Sequence, residues 1–232
     1  HRSGAITMRT PGQDKELAAG FLFTEGIIGK AADILAAKHV GQALHPEAAE
    51  NVLQVELHPE VSIDFDRLSR HFYTSSSCGV CGKTSIEMVR STSCYYPQKG
   101  KPVVGAEVLH QLPELLRPAQ SAALFDAKGE LVLSREDVGR HNALDKLIGA
   151  ALHQGLVPLR EHIVLVSGRA SFELIQKALM AGVPVMAAVG APSSLAVELA
   201  DDNGMTLVGF LRGERFNVYC GEERIGFEQK SL

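Results

Sequence analysis

The sequence is poor in cysteine, with 4 among 232 residues, at positions 78, 81, 94 and 220. Four unevenly spaced cysteines are too few for the disulfide scaffold of a secreted protein of this size. No signal peptide is visible either. We therefore expect a protein of the reducing cytoplasm, in which cysteines are reactive, metal-bound or simply buried.

The sequence also lacks long apolar runs and any marked excess of charge. No stretch approaches the roughly 20 apolar residues of a membrane helix, and the apolar C-terminal third is interrupted by Pro184, Gly190 and Pro192. The net charge of -4 argues against a dedicated binder of nucleic acids or anionic membranes. Any binding of phosphate groups must therefore depend on a local cluster of Arg and Lys side chains.

The remaining composition is that of an ordinary globular protein. Apolar residues make up 45% and charged residues 22%, and the length suits one large domain or one domain with a small companion. We predict three regions along the chain. They are a small N-terminal α+β domain (1–72), a cysteine loop and linker (73–104), and an α/β cofactor-binding core (105–232).

Local signals in the N-terminal region predict short helices and a strand. Asp14 is predicted to cap a helix that stops near Gly26. Residues 29–40 are predicted to form a second helix, and residues 51–57 alternate as a strand does. A further helix is predicted at 63–72.

From residue 122 onward, strand patterns alternate with helix patterns. The predicted strands are 122–125, 131–134, 163–166, 183–189, 205–211 and 216–220. The predicted helices are 139–154, 171–181 and one capped by Ser193 or Ser194. Single helices between strands predict an α/β fold with a mainly parallel sheet that helices cover on both faces.

Small residues and arginines follow four of these strands, in the segments 135–141, 167–171, 190–194 and 211–215. In open α/β sheets, ligands bind beyond the carboxyl ends of the strands. Glycine and serine let backbone N–H groups approach an anion, helix N-termini favour negative charge, and arginine adds bidentate contacts. We therefore predict a pocket for a phosphorylated ligand. The alternative of ordinary helix caps, turn glycines and solvated arginines stays open, and no Walker or complete Rossmann motif identifies the ligand.

The sharpest local motif is Cys78-Gly79-Val80-Cys81. Four uses fit it: half of a zinc site, a thioredoxin-like redox pair, a buried structural pair, or a nucleophilic thiol pair on a mobile loop. The neighbouring serines and glycines favour accessible thiols, and Lys83 favours the thiolate. The last use is therefore favoured, without excluding the others. Cys94 and Cys220 lack such a setting and are expected to be buried small residues.

A second pattern points to zinc deaminase chemistry. Zinc deaminases combine H-x-E with P-C-x-x-C, and His58-Pro59-Glu60 precedes the two cysteines here. Ser77 stands where that motif has proline, and a second His-Pro-Glu occurs at 45–47. Two copies of so short a string indicate chance.

Several longer stretches together resemble one family. They are LAAGFL at 17–22, TEGII at 24–28, TSSSCGVCGK at 74–83, REDVGRHNALDK at 135–146 and SGRAS at 167–171. In this order they resemble the formate dehydrogenase accessory sulfurtransferase (FdhD) family over nearly the whole chain. One departure is Gln120, which stands where that family often has a histidine.

The resemblance implies a cytoplasmic sulfur carrier whose core is similar to the cytidine deaminase fold. Such a sulfurtransferase accepts persulfide sulfur from a cysteine desulfurase and passes it to the molybdenum cofactor, as Mo-bis(molybdopterin guanine dinucleotide), for formate dehydrogenase. By motif, Cys78 would bear the persulfide, with Cys81 as its partner. The family's cofactor-contacting segment falls on Leu211, Arg212, Gly213, Glu214, Arg215 and Phe216, and the predicted strand-end pocket adds Arg140, His141, Ser167, Gly168 and Arg169.

The resemblance implies no permanent metal, and twin pterins suggest a homodimer by analogy. Two other functions stay open at this point. One is a non-catalytic chaperone that only holds the molybdenum cofactor or a guanine nucleotide. The other is a zinc-dependent, deaminase-like hydrolase.

Overall fold

The computed structural model describes residues 5–40, 51–63, 95–116 and 121–227. Its five helices in these ranges are α1 (Asp14–Thr24), α2 (Ala106–Leu115), α3 (Arg140–His153), α4 (Phe172–Met180) and α5 (Ser194–Asp202). Its strands are β1 (Ile34–His39), β2 (Leu53–Leu57), β3 (Val104–Gly105), β4 (Ser121–Asp126), β5 (Leu131–Glu136), β6 (His162–Val166), β7 (Val185–Ala188), β8 (Thr206–Arg212), β9 (Arg215–Cys220) and β10 (Ile225–Gly226). The predicted helix at 63–72 falls almost entirely outside the described residues.

Six strands form the central sheet in the order β5-β4-β6-β7-β8-β9. Only the neighbours β6–β7 and β7–β8 are parallel, whereas β4–β5, β4–β6 and β8–β9 are antiparallel. The expectation of a mainly parallel sheet is therefore wrong. The sheet is mixed because short turns join β4 to β5 and β8 to β9, and such turns connect antiparallel strands only.

Strands β5, β6, β7 and β8 nevertheless run in the same direction, because β4 lies antiparallel to both β5 and β6. Their carboxyl ends meet at one edge of the sheet. We call this the carboxyl edge and define it by the loops 137–139, 167–171 and 189–193 and the hairpin 211–215. The helices α3, α4 and α5 all begin there.

Side chains from alternating positions of the sheet fill two hydrophobic clusters. Leu124, Val164 and Met186 belong to the larger cluster, together with side chains of α1, α3, α4 and α5. Phe125 and Leu165 belong to the smaller cluster, together with α2 and the short pair β3–β10. Helices therefore cover both faces, four on one face and α2 on the other, within the ranges described.

Helix α1 packs directly on α3 through glycines. A Cβ atom at Gly20 would overlap the carbonyl group of Asp145, and one at Gly149 would overlap the carbonyl group of Glu16. The two backbones therefore touch. Phe23 of α1 is buried in the larger cluster, so this N-terminal helix contributes to the main core.

Two expectations for the N-terminal region need correction. Residues 34–39 form strand β1, which pairs with β2, rather than a helix over 29–40, because backbone pairing outweighs the helical preference of its two alanines. Asp14 is the first helical residue and not the N-cap. Its carboxylate instead accepts a hydrogen bond from Arg9 (2.7 Å) and pairs with His39 (2.9 Å). None of the helices in the described ranges has the length and apolar character of a membrane span.

Candidate functional site

Hydrogen bonds donated by backbone amides join neighbouring segments of the carboxyl edge. The amide of Ser121 donates to the hydroxyl of Ser167 (2.9 Å), and the amide of Ser167 donates to the carbonyl of Ser121 (3.0 Å). Farther along, the amide of Gly190 donates to the carbonyl of Gly168 (2.9 Å), and that of Phe210 donates to Gly190 (3.1 Å). The segments after β6, after β7 and within β8 therefore form one continuous surface.

Five of the residues predicted for a phosphate pocket come together on this surface. Arg140 and His141 open α3, and a Cβ at Gly168 would lie 3.8 Å from the Arg140 side chain. The imidazole Nε2 of His141 lies 3.1 Å from the hydroxyl of Ser171, which precedes α4. Arg169 packs against Gly190, and Ser167 precedes Gly168 in the same loop. The predicted residues that follow the strand ends therefore lie close together in the fold.

Arg140 carries an unusual feature at this edge. Its Nε atom is buried and has no hydrogen-bond partner among the residues that the structure describes. A buried guanidinium nitrogen without an acceptor is costly. The side chain therefore suits an external acceptor such as a phosphate oxygen.

The helices that begin at this edge differ in how their first turns are capped. Ser193 caps α5 in the usual way, because its hydroxyl accepts from the amide of Ala196 (3.2 Å). Gly139 precedes α3 and has no side chain to offer, and Ser171 makes no side-chain cap on α4 within the described chain. The first turns of α3 and α4 therefore present backbone N–H groups that no capping side chain occupies, a known setting for anions.

His141 is uncharged at neutral pH. Burial is the main cause that lowers its pKa to about 4, and the positive charges of Arg140 and Lys177 act in the same direction. The carboxylate of Glu173, 3.9 Å away, opposes them. The positive charge available to an anion at this edge therefore comes from arginine rather than histidine.

This assignment gives a direct test by proton NMR. The imidazole signal that disappears in a His141→Gln variant is expected to titrate with a midpoint near pH 4, well below the ordinary 6.5. Since the unfolded chain binds this proton below pH 6.5 and the folded chain does not, His141 favours unfolding progressively as the pH falls from 6.5 to 4. A midpoint at 6 or above would contradict the partly buried, uncharged histidine.

A buried ion pair fixes the loop ahead of α3. The ammonium of Lys146 lies 2.7 Å from the carboxylate of Asp137, and both side chains are fully buried. The same carboxylate accepts from the amides of Gly139 and Thr10 and from Asn142, each at 3.1 Å. Burial opposes ionisation of Asp137, yet the hydrogen bonds from Lys146, Gly139 and Asn142 hold its pKa below the ordinary value.

A second buried pair joins two helices, where Lys177 of α4 contacts Asp145 of α3 (3.0 Å) and the hydroxyl of Thr24 (3.0 Å). These charged residues and Ser171 are not among the site residues predicted from the sequence. A signal was present, because Asp145 and Lys146 interrupt a helix that is otherwise apolar on nearly all sides. Charged residues in such a helix must be paired inside the protein.

The hairpin predicted to contact the cofactor divides into buried and exposed parts. Leu211 is fully buried and Phe216 packs in the smaller cluster, with its ring centroid 5.2 Å from that of His110. Arg212 and Arg215 pair across the exposed turn, which contains Gly213 (φ 51°) and Glu214. The side chains able to meet a ligand are therefore those at the tip.

The two cysteines of the motif, Cys78 and Cys81, lie outside the described residues, as do Cys94 and Gln120. Cys220 is described: its thiol donates to the carbonyl of Met205 (3.3 Å), and burial raises its pKa to about 11. A thiol with so high a pKa is a poor nucleophile at neutral pH. His58 lies on a turn after β2, where its Nδ1 accepts a long hydrogen bond from the amide of Glu60 (3.4 Å).

Comparison with known proteins identifies the family. Residues 1–226 match the FdhD/NarQ family. The sulfur carrier protein FdhD of Streptomyces avermitilis is 52% identical over 233 residues, covering 95% of this chain and 83% of that protein. FdhD of Mycobacterium tuberculosis is 49% identical over 234 residues, covering 95% and 85%, and FdhD of Saccharolobus solfataricus is 40% identical over 231 residues, covering 95% and 83%.

A similar fold is present in a crystal structure assigned to a formate dehydrogenase accessory protein from Desulfotalea psychrophila. The TM-score is 0.69 at 25% sequence identity, over 95% of this chain and 83% of that one. The match therefore includes the N-terminal region as well as the central sheet. With about half of its residues identical to several sulfur carrier proteins and residues 1–226 matched by the family model, this chain belongs to the FdhD/NarQ family.

Proposed function

We propose that this chain is a cytoplasmic sulfur carrier in formate dehydrogenase maturation. It accepts persulfide sulfur from a cysteine desulfurase on Cys78 and delivers it to Mo-bis(molybdopterin guanine dinucleotide) bound as substrate at the carboxyl edge. The names of the relatives support the sulfur-carrying role. The observation that carries the binding role is the meeting of Arg140, Gly168 and Arg169 where α3 and α4 begin.

The loading step is a thiol–persulfide exchange. The thiolate of Cys78 attacks the outer sulfur of the desulfurase persulfide, so that a new S–S bond forms and the desulfurase cysteine leaves as a thiolate. The outer sulfur keeps its proton and its oxidation state. The product is Cys78–S–SH, and no external oxidant is required.

Cys81 provides a route for release. Its thiolate attacks the inner sulfur of the Cys78 persulfide, forming a Cys78–Cys81 disulfide and releasing HS⁻. A thiol reductant of the cell must then reduce the disulfide before another cycle. Two cysteines separated by two residues are well placed in sequence for this exchange.

The length of chain around Cys78 permits transfer between separate sites. The described chain resumes at Tyr95, which lies against Gly182 and beneath Arg160. Gly182 precedes β7 and Arg160 precedes β6, so both lie at the amino ends of these strands, opposite the carboxyl edge. A strand of five residues spans about 17 Å, whereas the roughly 15 residues on either side of Cys78 extend to about 50 Å. The number of residues between 63 and 95 is therefore sufficient, by covalent length, for Cys78 to reach the carboxyl edge.

The residues at the carboxyl edge suit a diphosphate. Arginine forks bind phosphate oxygens through two parallel hydrogen bonds, and the open helix N-termini add backbone donors. The buried Nε of Arg140 lacks an acceptor within the described chain, and a phosphate oxygen would supply one. The guanine dinucleotide form of the cofactor carries such phosphates, which makes GDP a suitable probe.

The binding role is tested with GDP by isothermal titration calorimetry. Wild-type protein is expected to bind GDP, and Arg140→Gln and Arg169→Gln are each expected to weaken binding about 10-fold or more, since each removes a charge-assisted contact. Arg160→Gln is the matched control, because Arg160 lies over Tyr95 at the opposite edge. Absence of GDP binding by the wild type, or an equal loss in the control, would overturn the assignment.

Formate dehydrogenase and the cysteine desulfurase are the protein partners in this proposal. The homodimer and the cytidine-deaminase-like core stay predictions from the resemblance. The non-catalytic chaperone differs from the proposal in one respect: it requires no thiol at position 78.

A further inference from the structure

Helices α3 and α4 face each other through two levels of polar side chains below the carboxyl edge. His141 and Asp145 lie four residues apart on α3, and Glu173 and Lys177 lie four residues apart on α4, so each pair lies on one face of its helix. At the upper level, Nε2 of His141 lies 3.9 Å from the carboxylate of Glu173. At the lower level, the ammonium of Lys177 lies 3.0 Å from the carboxylate of Asp145. The two helices therefore meet through polar contacts as well as apolar packing.

The lower level is buried, and a third helix contributes partners to it. The side chains of Lys177 and Asp145 are 10% and 4% exposed. Thr24, the last residue of α1, donates its hydroxyl hydrogen to Asp145 (2.9 Å) and accepts from Lys177 (3.0 Å). The carboxylate of Glu25 lies 3.4 Å from the same ammonium. One lysine therefore joins α1, α3 and α4 at a single point.

Stability alone does not explain a charged pair at this point. Well-packed apolar residues of similar volume are often as stabilising as a buried ion pair, because the attraction between the charges barely offsets their loss of hydration. The surroundings are apolar, since Leu144 of α3 and Leu174 of α4 both belong to the larger cluster. Burial disfavours the charged form of Lys177, yet the carboxylates of Asp145 and Glu25 outweigh it and raise the pKa. The pair adds direction, because hydrogen bonds have a preferred geometry whereas apolar contacts do not.

We infer that Lys177 is a positioning residue for phosphate binding: it holds the first turns of α3 and α4 at the separation at which both contact one diphosphate. This role rests on the proposed function, because it takes the carboxyl edge as the phosphate site. Asp145 and Lys177 are each the sixth residue of their helix, so the pair lies about 8 Å from both helix starts along the helix axes. Lys177 therefore acts through the backbone donors and Arg140 of these first turns, and not by touching the ligand.

The test removes both charges of the pair at once. Asp145→Asn combined with Lys177→Met keeps the net charge and the approximate side-chain volumes, and it leaves neither partner as a lone buried charge. We therefore expect it to unfold at a urea concentration close to the wild-type value. By calorimetry, it is expected to bind GDP and inorganic pyrophosphate about 5-fold or more weakly, by the same factor for both probes, because both depend on the two first turns. Lys177→Arg keeps the charge and its donors, and we expect its affinities to stay within about 2-fold of the wild type.

Leu112→Ala is the control for stability alone. Leu112 of α2 is fully buried in the smaller cluster, on the face of the sheet opposite α3 and α4. Truncating it leaves a cavity and lowers the urea concentration of unfolding, but we expect both probes to bind as tightly as to the wild type. A double variant that does not fold, or an equal loss of affinity in Leu112→Ala, would make Lys177 a structural residue only.

The two probes separate this role from the proposed function itself. If wild-type protein binds neither GDP nor pyrophosphate, the proposed function and the role of Lys177 fail together. If the wild type binds them and the Asp145→Asn, Lys177→Met variant binds them equally tightly, only the positioning role fails. A loss confined to GDP would contradict the role as well, since the groups that Lys177 positions are those that meet phosphate.

Discussion

A Cys78→Ala variant is expected to gain no sulfur from a cysteine desulfurase supplied with cysteine, and formate dehydrogenase matured with it is expected to be inactive. The reason is chemical. Only a thiolate can take the outer sulfur of a persulfide, and the proposal gives that role to one residue. Intact-protein mass spectrometry detects the added sulfur atom directly, and formate oxidation reports the matured enzyme.

Cys220→Ala is the matched control for this experiment. Its thiol is hydrogen-bonded to Met205 and has a pKa raised to about 11, so its removal is expected to leave loading unchanged. Cys81→Ala is expected to load sulfur but release it slowly. A Cys78→Ala protein that still acquires sulfur would contradict the carrier assignment. A double Cys78→Ala, Cys81→Ala variant that still matures the enzyme would establish the non-catalytic chaperone instead.

A Lys146→Met variant is expected to lose about 3–5 kcal/mol of unfolding free energy, because it leaves the buried Asp137 carboxylate without its cation. For a chain of this size, that loss lowers the melting temperature by roughly 6–20 °C. Methionine fills a similar volume, so the effect reports charge more than packing. Urea denaturation and thermal unfolding measure the two quantities.

The double variant Asp137→Asn, Lys146→Met is the control for the ion pair. It removes both charges, while the new amide oxygen at position 137 can still accept from the amide of Gly139. We therefore expect it to be more stable than the single Lys146→Met variant. A single variant that unfolds at the wild-type urea concentration would show that the pair contributes no stability. In that case the hydrogen bonds of Asp137 with Gly139, Thr10 and Asn142 would hold the loop ahead of α3.

The sequence predicted the elements of the core well because each has a strong local signal. Apolar runs such as 163–166 and the helical spacing over 139–154 both correspond to observed elements, β6 and α3. The gathering of Arg140, Gly168 and Arg169 followed from a general rule about strand ends. These residues meet even though the sheet is mixed, because β5 runs in the same direction as β6.

Other features depended on contacts that no local pattern records. The run Ile34–His39 contains alanines that suit a helix, and only its pairing with the distant strand β2 makes it extended. Lys146 is buried, and its ammonium donates to the carbonyl of Thr10, in the segment before α1. The left-handed conformation of Phe210 (φ 54°) arises from a shift in the pairing of β8 with β9, which the order of residues alone does not reveal.

The contact between Gly20 and Gly149 limits how this protein can vary. Most pairs of neighbouring residues in a protein interior can exchange bulk, one becoming larger as the other becomes smaller. Here both partners already have the smallest side chain, and each faces a backbone carbonyl group of the other helix. Neither position can compensate for a change at the other, so any larger residue at either one must push the two helices apart.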